Sequence, residues 1–367
     1  MPAARHPRPA PLTRGRGAQA NPANRFETLS LHVLPDHVDE IVAENPDGTQ
    51  VRTLVYADRA RTIINRVDSP DIPCDWSVNP YRGCEHGCVY CYARPHHEML
   101  GFSCGLDFET RIVAKHDAPD LLRRELASPK WRGEPIMISG VTDPYQPVER
   151  KLQITRRILE ICADAGQPVS IITKNAMVTR DVDLLSRLAA LGAARVAISL
   201  TSLDNRLASS MEPRASAPQK RLEAMRALSS AGIPVTVMTA PIIPGLNDRE
   251  IPALLQAAAG AGATSAGYVF LRLPHQVKTI FFDWLHREFP DRVTHVESLL
   301  RQSRHGDLTD STFGRRMTGE GPVAQMVKQL FKTSARRIGV MPRPSPMQAR
   351  RLTGITPLPD AYQPMLF

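Results

Sequence analysis

No apolar run in this 367-residue chain is long enough to cross a membrane, and its first residues lack the apolar stretch of a secretory signal. A disulfide scaffold is excluded on another count. Only six cysteines occur, and Cys84, Cys88 and Cys91 crowd into one loop. Cys74, Cys104 and Cys162 have no ligand-like spacing and read as small buried hydrophobes. Together these absences predict a reducing cytoplasm as the setting. Also missing, downstream of the loop, is a second ligand pair at the spacing of a zinc module.

Acidic charge is scarce at the start. Arg5, Arg8, Arg14, Arg16 and Arg25 all precede the first acidic residue, Glu27. A mitochondrial transit peptide looks similar, but Pro2, Pro7, Pro9 and Pro11 break the amphipathic helix it needs. Residues 1–25 therefore read as a disordered basic arm. The chain carries a net charge of +9 with a pI near 9.5, which favours an anionic partner, nucleic acid before a membrane surface. Its hydrophobic fraction of 42% is enough for an ordinary globular core, in one large domain or two smaller ones.

What is present is organised around one stretch, Asn79-Pro80-Tyr81-Arg82-Gly83-Cys84-Glu85-His86-Gly87-Cys88-Val89-Tyr90-Cys91-Tyr92-Ala93-Arg94-Pro95. Pro80, Gly83 and Gly87 keep it out of regular structure. Thiolates at C-x3-C-x2-C spacing wrap around one soft metal centre. Three ligands on a four-iron cluster leave one iron open to something that is not protein. A zinc site with His86, His96 or His97 as fourth ligand is the other reading of the same residues.

Along the chain, residues 26–70 form a lead-in and 75–79 a short strand that delivers the cysteine loop. A short helix is predicted at 93–100 and a strand at 108–115. Apolar strand runs then recur at 135–139, 169–173, 195–200, 235–238 and 267–271, with helical patterns at 151–165, 181–191, 218–231 and 248–260. Six strand–helix units predict a parallel sheet with helices outside, either a partial barrel or a doubly wound sheet. Both place the active site beyond the C-terminal ends of the strands. Ser139, Thr142, Lys174, Asn175, Ser199, Thr201 and Arg272 all fall there, whereas Asp248 reads as a helix cap. A basic helical extension follows over 291–340, then a Pro-rich mobile tail over 341–367.

Cys84, Cys88, Tyr90 and Cys91 fill a C-x3-C-x-aromatic-C signature, which resembles the radical S-adenosylmethionine (radical SAM) superfamily. Thr142-Asp143-Pro144-Tyr145-Gln146-Pro147-Val148-Glu149, Thr173-Lys174-Asn175 and Pro244-Gly245-Leu246-Asn247-Asp248 extend the likeness to its spore-photoproduct-lyase-like members. The resemblance implies a partial (β/α)6 barrel over residues 71–290 and a [4Fe-4S] cluster on Cys84, Cys88 and Cys91. It also implies reductive cleavage of S-adenosylmethionine to a 5′-deoxyadenosyl radical, fed by an electron donor such as flavodoxin or ferredoxin. Lys174 and Ser199 suit the cofactor carboxylate, and the turn from Ser139 to Thr142 its ammonium. The adenine is expected near Val269 and Phe270, with Tyr90 or Tyr92 close by. Gly140 stands where the lyase has its hydrogen-donating cysteine. The substrate therefore stays open, with DNA or RNA, as lesion repair or modification, the leading expectation. A nucleic-acid-binding protein with a structural iron–sulfur or zinc site is the alternative. Gln363, Leu366 and Phe367 resemble the short peptide that docks on the bacterial sliding clamp, although Pro364 departs from its usual leucine.

Overall fold

Each apolar run becomes a strand, and the strands line up in the order the chain makes them. The computed structural model describes residues 12–26, 51–341 and 346–352. Trp76–Val78 (β1), Ile136–Ile138 (β2), Val169–Thr173 (β3), Ala194–Ser199 (β4), Val235–Ile242 (β5) and Ser265–Phe270 (β6) are neighbours in that sequence, all parallel. A doubly wound sheet reverses its strand order at a switch point, and this sheet does not. The predicted six-stranded partial barrel is what forms. Ile64–Arg66 adds antiparallel to the outer edge of β1.

Helices Ile154–Ala165, Val182–Ala190, Pro218–Ser230 and Ile251–Gly260 return the chain between strands. In Ile154–Ala165 the buried residues Ile154, Ile158, Ile161, Cys162 and Ala165 recur at helical spacing and form the face laid on the sheet. These crossovers put the helices on the outer face of the barrel, and burial alternates along β3, with Val169, Ile171 and Thr173 buried and Ser170 and Ile172 half-buried. Helices Val293–Gln302 and Gly321–Ile338 make up the basic extension. Among the described residues no helix is long and apolar enough to cross a membrane.

Three expectations change. The strand predicted over 108–115 is half helix, because Leu106–Thr110 turns to bury Glu109 before Arg111–Ala114 extends. Leu54–Ala57, Arg111–Ala114 and Tyr81–Arg82 pair as a second, small sheet.

The arm predicted to be disordered is packed over residues 12–26, and the reason lies in its small residues. Buried Glu109 accepts hydrogen bonds from the Gly17 and Ala18 amides at 3.0 and 2.8 Å, and it is also paired with buried Arg94. Arg16 donates to the Glu109 carbonyl at 2.8 Å and to Val51 and Thr53. This strap passes so close to the cysteine loop that a Cβ on Gly17 would stand 1.9 Å from the Gly87 carbonyl oxygen. Gly17→Ala should therefore cost about 1–3 kcal/mol, read as a lower urea midpoint. An unchanged midpoint would show that the strap is not seated there.

Residues 346–352 are also held. Arg350 bonds the Gly133 and Leu191 carbonyls and roofs a cavity of about 560 Å³ at the N-terminal ends of β4, β5 and β6. That cavity is at the end of the barrel away from the cysteines. Gln363, Leu366 and Phe367 lie outside the described residues.

Candidate active site

The cysteine loop leaves β1 at the C-terminal end of the sheet. Gly83 and Gly87 take φ of 76° and 67°, backbone that side-chain-bearing residues avoid, and the Cys84 amide bonds the Phe108 carbonyl at 2.8 Å. Cys84 and Cys88 are buried and Cys91 half-buried. Burial pushes all three thiols up, and at Cys84 the charges of Asp143, Cys88 and Cys91 push the same way. Glu212 adds to this at Cys88, whereas Lys174 pulls Cys88 and Cys91 down. Cys74, Cys104 and Cys162 lie elsewhere, with Cys104 and Cys162 buried as expected and Cys74 half-buried against the Trp76 carbonyl.

The stretch from Thr142 to Glu149 fastens this loop. The Thr142 hydroxyl donates to the Gly83 carbonyl at 2.6 Å, and the Gln146 side-chain oxygen accepts from the Glu85 amide at 2.9 Å. Glu85 in turn accepts from the Val148 amide at 2.6 Å. His86, between two of the cysteines, has Nδ1 at 3.3 Å from Asp143 and Nε2 at 3.2 Å from the Asn175 amide nitrogen. Asp143 also accepts from the Thr173 hydroxyl and the Lys174 amide. Burial pushes the Asp143 carboxyl up, yet His86 and these donors outweigh it and hold it below the ordinary range. Thr142 thus reaches toward the cysteine loop, and the Ser139 hydroxyl donates to the Thr142 carbonyl at 2.9 Å.

Imidazoles offered as a fourth zinc ligand are directed elsewhere. His86 is held between Asp143 and Asn175, His97 sits among Phe102 and Phe108 with ring centroids at 5.2 and 5.6 Å, and His96 is exposed. Among the described residues no three Cys, His, Asp or Glu side chains gather closely enough to hold a single metal ion. A four-iron cluster differs in that each cysteine binds a separate iron. The three-thiol set fits such a group, because a bound cluster supplies the cationic charge that keeps buried thiols ionised.

A second network stands beside the cysteines, on the ends of β3 and β4. Lys174 places Nζ 3.6 Å from Glu212, 3.4 Å from the Ala240 carbonyl and 5.7 Å from the centre of the Tyr90 ring. Buried Glu212 accepts from the Tyr90 hydroxyl, from Arg221 and, at 2.7 Å, from Thr201. Arg221 reaches on to the Ser199 carbonyl at 3.0 Å. Tyr90, Lys174 and Ser199 are thereby brought together. Glu212 and Arg221 escaped the sequence reading, since neither follows an apolar strand and their partners are scattered over more than a hundred residues.

Tyr92 and the expected adenine wall lie further round the mouth. Tyr92 is exposed and its hydroxyl donates to the Gly140 carbonyl. Gly140 has φ of 137°, so a side chain there would be strained even though no atom crowds it closer than 3.4 Å. Phe270 is fully buried beneath Arg304, its amide bonded to the Met317 carbonyl at 2.8 Å, and Val269 is half-buried.

Residues 78–258 match the Radical SAM superfamily profile. An uncharacterized protein of Mycobacterium tuberculosis is 37% identical over 245 residues, 66% of this chain and 72% of that protein. The radical SAM Nα-GlyT isomerase of Pseudomonas phage M6 is 23% identical over 266 residues, 72% of this chain and 52% of the isomerase. Among solved structures, spore photoproduct lyase complexed with dinucleoside spore photoproduct is similar in fold, with a TM-score of 0.57 and 16% identity over 80% of this chain and 81% of the lyase.

Proposed function

The chain belongs to the radical SAM superfamily, and we propose that Cys84, Cys88 and Cys91 carry the [4Fe-4S] cluster at which it cleaves S-adenosylmethionine to act on a nucleic-acid substrate. Enzymes of this superfamily use the cluster and S-adenosylmethionine and need a reductant, for which a flavodoxin or ferredoxin is the proposed donor. When bound, these groups supply an electron and a 5′-deoxyadenosyl radical that takes hydrogen from the substrate. The observation that carries the reading is the meeting of three thiols with the Lys174 network at the C-terminal end of a sequentially ordered parallel sheet.

This chain's own residues bind and orient. Lys174 would take the cofactor carboxylate, its charge held in place by Glu212 behind it. Arg221 fixes the Ser199 end of β4 through that strand's last carbonyl. The Ser139 oxygen and the carbonyls of the turn to Thr142 would accept from the cofactor ammonium, while Tyr90, clamped by Glu212, walls the cavity. The net charge of +9 supports the nucleic-acid substrate, as does the neighbour solved with a dinucleoside photoproduct. Gly140 argues against photoproduct reversal through a cysteine at that position.

Anaerobic reconstitution should give about four irons per chain and, with dithionite, 5′-deoxyadenosine. Zinc in place of iron, or an intact cofactor after reduction, would overturn the reading. Deuterium carried from a labelled oligonucleotide into 5′-deoxyadenosine would identify the substrate.

A further inference from the structure

Four arginines gather where β6 ends. Buried Arg304 donates to the carbonyls of Leu271, Arg315 and Arg316 at 2.8, 3.2 and 3.1 Å, which pins residues 310–318 against the strand. Arg316 is paired with Asp71, bonds the Ser69 hydroxyl at 2.6 Å and stacks 4.2 Å above the Phe313 ring. Arg315 is paired with Asp310 at 3.4 Å and Glu320 at 3.6 Å. Arg272 differs from the rest. Its guanidinium stands 5.4 Å above the Tyr92 ring with Nη1 3.5 Å from the Met317 sulfur, and among the described residues no carboxylate is paired with it.

Charge arithmetic makes this cluster incomplete. Four guanidiniums face three carboxylates, Asp71, Asp310 and Glu320, and Glu320 is shared with His305. Burial and the neighbouring Arg316 lower the Arg272 pKa more than Tyr92 and Asp71 raise it, so the cation is half out of water beside an incompletely balanced like charge. An arriving anion relieves both costs. The two aromatic rings that carry these guanidiniums are themselves open to solvent, Tyr92 at 42% and Phe313 at 50% exposure. A carboxylate ligand leaves such rings without a partner, whereas a nucleotide offers a base to stack on them and a phosphate to the arginine forks. Tyr92 directly follows Cys91 and is tied to Gly140, so this patch borders the same mouth as the cysteine loop.

We infer that Arg272 and Arg316, with Tyr92 and Phe313, form the site that receives a phosphodiester and its flanking base from a single nucleic-acid strand. This rests on the nucleic-acid reading above and assigns that substrate its contact surface. The phosphodiester lies between the two guanidiniums, with the bases against the aromatic faces. Arg304 and Asp71 position the pair without touching the strand.

Fluorescein-labelled oligothymidylate, titrated into the reconstituted protein at several salt concentrations, tests it. Arg272→Gln should weaken binding about tenfold and make the salt slope shallower by about 0.7, the value of one lost contact to a single strand. Arg272→Lys should keep the slope. Phe313→Ala should weaken binding about tenfold while leaving the slope alone. Iron content and melting temperature confirm that each variant is folded. If wild type binds and Arg272→Gln and Phe313→Ala match it in affinity and slope, this site is wrong while the nucleic-acid reading stands. Absence of wild-type binding overturns both. A polyglutamate peptide that displaces the oligonucleotide at equal concentration also overturns it.

Discussion

Replacing any one of Cys84, Cys88 or Cys91 with alanine should abolish both cluster assembly and cleavage of S-adenosylmethionine in a chain that still folds. The loop does not depend on its thiols for shape. It is held by Thr142 and Gln146 on Gly83 and Glu85, by Val148 on Glu85 and by Asp143 and Asn175 on His86. Net contributions of about 1 kcal/mol for each such bond exceed, as a set, what one buried thiol adds by packing. A cluster with two remaining cysteine ligands is a different matter, because its third iron–sulfur bond has no substitute. His86 cannot swing in without breaking its contacts to Asp143 and Asn175. Iron analysis, far-ultraviolet circular dichroism and chromatography of 5′-deoxyadenosine separate loss of fold from loss of cluster. Cys74→Ala, Cys104→Ala and Cys162→Ala should keep full iron. A Cys88→Ala protein with wild-type iron, or one in which Cys104→Ala loses it, would reassign the ligands.

How much of this was legible before the structure depended on whether the signal was local. Strand runs such as Val169–Thr173 carry their burial in their composition, and the cysteine spacing carries its chemistry. Periodicity could not choose the barrel over a doubly wound sheet, because strand order is set by pairing across long separations, and it was the resemblance carried by the cysteine signature that pointed to the barrel. Residues 12–26 were misread for a different reason. Their composition is poor in large apolar side chains, but the contacts they make are polar and main-chain ones, the Arg16 guanidinium on the Glu109 and Val51 carbonyls, the amides of Gly17 and Ala18 on the Glu109 carboxylate and the backbone of Gly17 against Gly87. A hydrophobicity count does not register that kind of packing. Thr142 to Glu149 was found as a polar turn at the right place, yet its main work is to hold the cysteine loop from the next strand. The hub at Glu212 joins Tyr90, Lys174, Thr201 and Arg221, and only the folded sheet brings them together.

That hub should dominate the acid stability of the protein. Burial alone would push the Glu212 carboxyl up. Arg221 and Lys174, with the Thr201 and Tyr90 hydroxyls, reverse this and hold it at about 2, against an ordinary 4.5. A folded-state value below the unfolded one means that the stabilisation is complete above pH 4.5 and disappears as pH falls from there toward 2. A gap of that size corresponds to about 3 kcal/mol. Glu212→Ala leaves Arg221 buried without a counter-charge and should cost about 3–5 kcal/mol at neutral pH. Glu212→Gln keeps the shape and some hydrogen bonds but not the charge, so it should be less damaging and should lose less stability with acid than wild type over the same interval. Asp143, also held low beside His86, adds a dependence of the same sign, which the Glu212→Gln protein retains. Urea unfolding of the three proteins at pH 7, 5, 4 and 3 reads the difference directly. If Glu212→Gln loses stability with acid as steeply as wild type, Glu212 is not the ionised centre of this network, and Lys174 is oriented by something else.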